Sequence, residues 1–313
     1  MADAGIGKTS GTAGVPLVVR HSTRDQLMWR ACYLRDLEWA NLDPRGTLAA
    51  VRYVFSPDPD ARRRAADGFH VGSWFPALDG LLDTGPAFLM DLREPPEKQL
   101  AWVRRVNPDY LLSLPSQLVV LADKLGGEKL PRLKAIQTIA EALRPDVRAR
   151  IEAGFGVPVK DLYSCTEAGY VASPCPAGGG YHVHAENVIV EVVDAAGEPC
   201  RPGDVGRVLL TTLHRDRMPF VRYDVGDEAV MGPEACPCGR GLPTLLRIDG
   251  KLRPLLRRVD GTWRSSTQLT NTLTALPGVL QFAATQGGNG RLTVKVIPVG
   301  GRGEGLSADV VRV

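Results

Sequence analysis

The sequence predicts an α/β fold built from mixed sheets with flanking helices and a β-rich subdomain, followed by a small α+β domain. Three observations predict it. From residue 46 short apolar runs alternate with helix-spaced stretches and turn clusters, as βα units do. After Gly180 the pattern changes to alternating strands and tight turns. From about Lys251 a helix and two strands surround a Gly-Gly-Asn-Gly turn. We divide the chain at that point, into residues 1–250 and 251–313.

The elements follow in order. Residues 2–9, "ADAGIGKT", fit a loose Walker A pattern, but that loop needs a strand before it and a helix after it, and no strand is expected ahead of Ala2. The next stretch, "TSGTAG" at 9–14, alternates hydroxyls with glycines and can wrap phosphate without a lysine. From Ser22 to Leu42 apolar residues recur at helical spacing behind a Ser/Thr cap. "EKQLAWVRRVNPDYLLSLPSQLVVLADKL" reads as helix, strand and a second helix opened at Pro115-Ser116. "RLKAIQTIAEAL" is strand then loop, and "RPDVRARIEAGFG" is a helix closed by Gly154 and Gly156. "PVKDLYSCTEAG" is again strand then loop. The loops of such units collect at one sheet edge, where ligands bind.

Composition narrows the function. Of 313 residues, 38 are Lys or Arg against 35 Asp or Glu, and the basic residues are dispersed, which speaks against a nucleic-acid partner. No apolar run approaches the roughly 20 residues that span a bilayer, and the N-terminal residues are not those of a signal peptide. A cytoplasmic enzyme with no membrane partner is expected. Six cysteines in a chain this long make no disulfide scaffold, and the tight "CPCG" pair points to metal in a reducing compartment.

Four ordered motifs, "TSGTAGVP" at 9–16, "LYSCTEAG" at 162–169, "MPFVRYDVGDEA" at 218–229 and "CPCGRGLPTLLRIDGK" at 236–251, resemble the adenylate-forming enzymes, in particular the branch containing phenylacetate-CoA ligase. The resemblance covers nearly the whole chain, which is shorter than the family at both ends, and implies an adenylate-forming large domain with a small C-terminal lid domain. It implies ATP-dependent activation of an aromatic or other small carboxylic acid as acyl-AMP, with transfer to CoA, a carrier protein or an amine. Thr9, Ser10, Gly11, Thr12 and Gly14 would hold the phosphates, Glu167 would bind Mg²⁺, and Thr166 would donate to the α-phosphate. Tyr163 and Ser164 would line the adenine site, joined by Glu141 although Ala140 departs from the family's glycine. Asp227 would bind the ribose hydroxyls, with Lys251 at the hinge. Family position places the acyl pocket at Trp74, Phe75, Ser113 and Pro115, each of which reads equally well as core.

The cysteines form a second constellation. Cys175, Cys236 and Cys238 with His182 or His184 resemble a structural zinc site found in some members of the branch, and the donor set suits tetrahedral Zn²⁺. Reduced cysteines in turns are the alternative, and the two histidines are not separable from sequence. Arg253 and Pro254 stand where the family's hinge has acids, and no residue stands for its adenylation lysine, so transfer to CoA is expected to be weaker than adenylation or absent. A catalytically weak nucleotide-binding relative, acting as a regulatory or partner subunit, is the alternative reading. A homodimer is a further expectation.

Overall fold

The first helix starts at a reciprocal cap. Ser22 Oγ accepts from the Asp25 N–H at 3.3 Å, and the Asp25 carboxylate accepts from the Ser22 N–H at 3.0 Å, satisfying two donors that a helix N-terminus leaves open. The structure, a computed structural model, describes residues 3–8, 17–54, 58–75, 80, 82–251, 255–257, 263–265, 273, 279–287 and 290–298. Within them, strand β1 (Asp3–Lys8) pairs antiparallel with β2 (Val18–Ser22), which leads directly into helix α1 (Thr23–Trp39). A strand therefore occupies the Walker-like residues themselves. Thr9, Ser10, Gly11, Thr12 and Gly14 stand between β1 and β2 in the chain and lie outside the described residues.

A six-stranded sheet follows, built by β3 (Leu48–Arg52), α2 (Pro59–Asp67), β4 (Phe69–Gly72), β5 (Ala87–Asp91), α3 (Pro96–Val106), β6 (Tyr110–Ser113), α4 (Pro115–Leu125), β7 (Ala135–Thr138), α5 (Pro145–Phe155) and β8 (Val159–Lys160). Its order is β4-β5-β3-β6-β7-β8, parallel throughout except for the antiparallel edge strand β4. All four residues of β7 are buried, as expected of a parallel strand covered on both faces. Helices α3, α4 and α5 open on a proline in the first turn, where the missing N–H costs nothing. They bury Leu100, Trp102, Leu118, Leu121, Ile151 and Phe155 against the sheet.

The remaining strands of this unit are β9 (Tyr163–Cys165), β10 (Gly169–Pro174), β11 (Tyr181–Val183), β12 (Val188–Val193), β13 (Val205–Thr212), β14 (Tyr223–Met231) and β15 (Thr244–Lys251). They form an antiparallel sheet in the order β12-β13-β14-β15-β11-β10-β9. Helix α1 joins the two sheets. Its Cys32, Tyr33 and Leu37 pack with Leu48, Tyr110 and Ala135 of the parallel sheet and with Tyr170 of β10. This compact unit runs to Lys251, and a second begins at Leu252. Within the second, β16 (Leu255–Arg257) pairs with β17 (Trp263–Ser265), and β18 (Val279–Gln286) pairs with β19 (Leu292–Pro298), both antiparallel. The helix expected ahead of that last hairpin falls outside the described residues, Leu273 excepted.

One expectation changes in α5. Gly156 ends the helix in the left-handed conformation, φ 71°, but Gly154 lies inside it. A Cβ at Gly154 would stand 2.6 Å from Ala122 Cβ on α4, so this glycine is a packing contact, not a terminator. Gly154→Val is expected to destabilise the protein by roughly 1–3 kcal/mol through overpacking, even though valine is a better helix former than glycine. Urea unfolding of the two proteins checks this, and equal midpoints would remove the contact from the account.

Candidate active site and metal centre

The turn after β9 carries Thr166 and Glu167, and β14 and β15 place Asp227 opposite Lys251 in their ladder. Tyr163 O–H donates to Asp227 Oδ2 at 2.7 Å. Lys251 Nζ stands 3.5 Å from Asp227 Oδ1 and donates to the Val225 carbonyl. Tyr223 O–H donates to Glu167 Oε1 at 3.4 Å. Glu167 and Asp227 are each 7% exposed. Burial first, then the charge of Asp227 and more weakly that of Glu167, raises Tyr163 well above the usual phenol range, so it stays a donor to the carboxylate. Asp224, three residues away, is different: it pairs with Arg207 at 2.9 Å and its side chain is 39% exposed. The structure thereby separates two acids that the sequence left adjacent.

Three residues that sequence reading missed join this group. Arg215 is buried, and its Nη2 donates to the Thr166 carbonyl at 3.0 Å. Its Nη1 lies 3.6 Å from Asp25 Oδ2, and His21 Nδ1 lies 3.6 Å from Asp25 Oδ1. The hairpin of β1 and β2 comes close at Gly7, where a Cβ would meet Thr166 Cγ2 at 2.8 Å and His21 Nε2 at 2.9 Å. The only signal was the charged run Arg215-Asp216-Arg217 directly after an apolar strand, which has no diagnostic spacing.

The other expected site residues divide. Ser164 is exposed on β9. Ala140 adopts φ 66°, the left-handed region that favours glycine. The Glu141 carboxylate accepts from Ser116 N–H and Oγ–H, both at 2.9 Å, so it serves the first turn of α4. Two expected pocket walls turn to the core. Ser113 is fully buried and donates to the Val51 carbonyl at 2.7 Å, and Trp74 donates to the Gly46 carbonyl at 2.8 Å while packing edge-on to Tyr110. Phe75 packs on Trp29 and Tyr33, and Pro115 is buried at the start of α4.

At the other end of α1 the cysteines converge. Cys175, His182, Cys236 and Cys238 bring one ligand atom each to within 4.8 Å of one another. Around a tetrahedral ion with bonds of about 2.3 Å to sulfur, neighbouring sulfurs stand roughly 3.8 Å apart; Cys175 Sγ and Cys236 Sγ are 3.8 Å apart. His182 Nε2 is 3.2 Å from Cys238 Sγ. The Arg240 backbone N–H pulls the Cys238 thiol down to about 6, whereas burial pushes the Cys175 thiol up. Three thiols and an imidazole around one point fit a structural zinc. His184 is not in the cluster, which corrects the expectation that either histidine serves. Trp39 closes over this end, edge-on to His182, with the Arg240 guanidinium 4.7 Å from its ring.

Residues 4–213 match the AMP-binding enzyme family. This chain belongs to that family. Among AMP-binding relatives it is 28% identical to phenylacetate-coenzyme A ligase of Thermus thermophilus, over 88% of this chain and 61% of that protein. It is 25% identical to phenylacetate-coenzyme A ligase of Escherichia coli, over 80% of this chain and 56% of that one. The chain thus spans about three-fifths of the length of these relatives. A solved structure of 2-hydroxyisobutyryl-CoA ligase with 2-HIB-AMP superposes with TM-score 0.68 at 21% identity, covering 95% of this chain and 62% of that one. The anthranilate CoA ligase with anthranoyl-AMP gives 0.67 at 16%, covering 98% and 58%. These neighbours share the adenylate-forming α/β fold. None of the helices among the described residues is long and apolar enough to cross a membrane.

In this AMP-binding domain a polar chain runs beside the cysteine cluster. The Arg35 guanidinium can only donate, so His184 Nδ1, 3.3 Å away, accepts and Nε2–H donates to Ser173 Oγ at 3.0 Å. Asp36 lies close to Ser173. Burial and the Arg35 charge hold His184 down to about 4, and it stays neutral. Burial raises Asp36 from 3.8 to about 6. The folded protein therefore binds this proton more tightly than the unfolded chain does, and the contribution is full below about pH 4 and is lost as pH rises through 6. Asp36→Asn has no proton to lose. Its stability relative to the parent is expected to improve by roughly 2–3 kcal/mol between pH 4 and 7. Urea midpoints of both proteins at the two pH values check this, and a constant gap would refute it.

Proposed function

We propose that this chain activates a small carboxylic acid, most naturally an aromatic one, as its acyl-AMP at the expense of ATP, releasing pyrophosphate, with CoA as an acceptor of the acyl group. The observation that carries the reading is the pair of nearly buried carboxylates, Glu167 and Asp227, each met by a tyrosine hydroxyl, in a chain of the AMP-binding family. The names of the relatives and the acyl-AMP complexes of the structural neighbours support the substrate class.

The division of labour follows from chemistry. Phosphoryl transfer asks mainly for positioning and for neutralisation of charge. Thr9, Ser10, Gly11, Thr12 and Gly14 cradle the phosphates, and the Thr166 hydroxyl donates to the α-phosphate. Glu167 holds Mg²⁺, a hard cation that takes oxygen ligands. When bound, the ion supplies positive charge against the departing pyrophosphate. Asp227 accepts from the ribose hydroxyls, its position fixed by Tyr163 and Lys251, and Ser164 and Glu141 border the adenine side. Residues 1–250 hold these groups, and 251–313 act as the lid. Six free cysteines suit a reducing, cytoplasmic setting.

Glu167→Gln keeps the shape but removes the charge. Acid-dependent exchange of pyrophosphate into ATP, assayed over a panel that includes phenylacetate and benzoate, is expected to fall at least about a hundredfold, with the thermal transition little changed. Adding CoA reads the second half-reaction in the same assay. Exchange by the Gln variant at the parent rate would remove Glu167 from the site.

Zinc is the second part of the reading, held by Cys175, Cys236, Cys238 and His182 to clamp β10, β11 and the 236–240 turn. Metal analysis of protein purified without added zinc is expected to give one zinc per chain in the parent and in His184→Ala, and almost none in His182→Ala. A well-folded parent without zinc, or loss in the His184 variant alone, would overturn the assignment.

A further inference from the structure

The Thr166–Glu167 turn lies between two short strands, β9 and β10, yet its orientation decides where a metal-binding carboxylate points. Its Thr166 carbonyl is claimed by a buried arginine. Arg215 Nη2 donates to that carbonyl at 3.0 Å, while Nη1 faces Asp25 Oδ2 at 3.6 Å. Asp25 is itself fixed, since it accepts from the Ser22 N–H in the capping box of α1 and sits beside His21 on β2. The Arg215 and Asp25 side chains are only 5% and 7% exposed.

Taking a guanidinium and a carboxylate out of water is costly, and apolar side chains of similar volume often serve stability as well or better. A pair kept there needs a further reason, and its geometry supplies one. The fork donates a hydrogen bond to the turn and stands within ion-pair range of Asp25 on α1, and α1 follows directly from the hairpin that packs Gly7 against Thr166 Cγ2 and His21 Nε2. Turn, hairpin and helix are thereby referred to a single side chain.

We propose that Arg215 is a positioning residue for nucleotide activation: paired with Asp25, it sets the Thr166–Glu167 turn against β1, β2 and the start of α1, and so fixes where the metal-binding carboxylate points. The proposal rests on the reading that Thr166 and Glu167 serve Mg-ATP. A lysine at this position keeps the charge but has no planar fork with which to reach both partners.

The test uses the whole chain with Arg215→Lys, Arg215→Gln, Asp25→Asn and the double variant Arg215→Lys/Asp25→Asn. Hydrogen exchange of the segment 162–169 is read without ligand, at a temperature where circular dichroism shows each protein folded. Exchange there is expected to quicken at least tenfold in each Arg215 variant. In pyrophosphate exchange, kcat is expected to fall at least thirtyfold and the Mg²⁺ concentration for half-activity to rise severalfold, with KM for the acid within twofold. The double variant is expected to be no worse than the worse single one, because both break one latch. A role confined to stability would lower the folded fraction and leave the Mg²⁺ dependence of the folded fraction unmoved.

Folded Arg215→Lys and Arg215→Gln proteins with parental exchange at 162–169, or with parental Mg²⁺ dependence, would overturn the proposal while the parent still binds Mg-ATP by calorimetry. A parent that binds no Mg-ATP would overturn the functional reading and this role with it.

Discussion

Helix α1 is wedged between a parallel and an antiparallel sheet, and both proposed centres take their positions from it. A helix so placed cannot be polar on one face and apolar on the other. It buries Cys32, Tyr33 and Leu37, but also Asp25 and Asp36. Each buried acid must find partners, and those partners lie on the other elements. Asp25 pairs with Arg215 and through it reaches the Thr166 carbonyl, and Asp36 lies close to Ser173 on β10. The helix is 17 residues long, so its ends stand roughly 25 Å apart at 1.5 Å per residue.

The two ends carry different chemistry. At the N-terminal end Asp25 and His21 meet Arg215, whose other nitrogen takes the carbonyl of the Thr166–Glu167 turn. At the C-terminal end Trp39 lies among His182, His184, Arg35 and Arg240, which shields the cysteine cluster and seats it on the helix. The zinc proposed there would tie two turns distant in the chain, at Cys175 and at Cys236–Cys238, into one sheet whose order is not the order of the chain.

Much of the framework was legible in the sequence. The cap at Ser22 and the proline that opens α4 are local signals, and each marks an observed boundary; the change of period after Gly180 marks none, because the antiparallel sheet already begins at β9 and runs through β10 and β11 on either side of that glycine. Thr166, Glu167 and Asp227 were singled out through motif resemblance, and the structure places Glu167 and Asp227 as buried carboxylates, each met by a tyrosine hydroxyl. Gly154 misled because a glycine near a helix end carries the same local signal whether it terminates the helix or admits a neighbour. The difference is the Ala122 side chain, 32 positions earlier on α4. Ser113 and Trp74 read equally well as pocket wall and as core, because a hydroxyl or an indole beside a predicted loop does not disclose which carbonyl it will meet.

The sequence by itself determined the elements, the family motifs and the kinds of donor available, because propensity, capping and short spacing act within a few residues. Only the tertiary structure decided which of two like groups is used. His182 joins the cysteines and His184 a serine, although both are fully buried on neighbouring backbone. Asp227 is buried on a tyrosine and Asp224 pairs with an arginine at the surface. Arg215, unremarked in a charged run, becomes the residue that holds a turn 49 positions away. Strand register and the route of α1 fix these choices, and both depend on contacts between residues far apart in the chain, which no local pattern encodes.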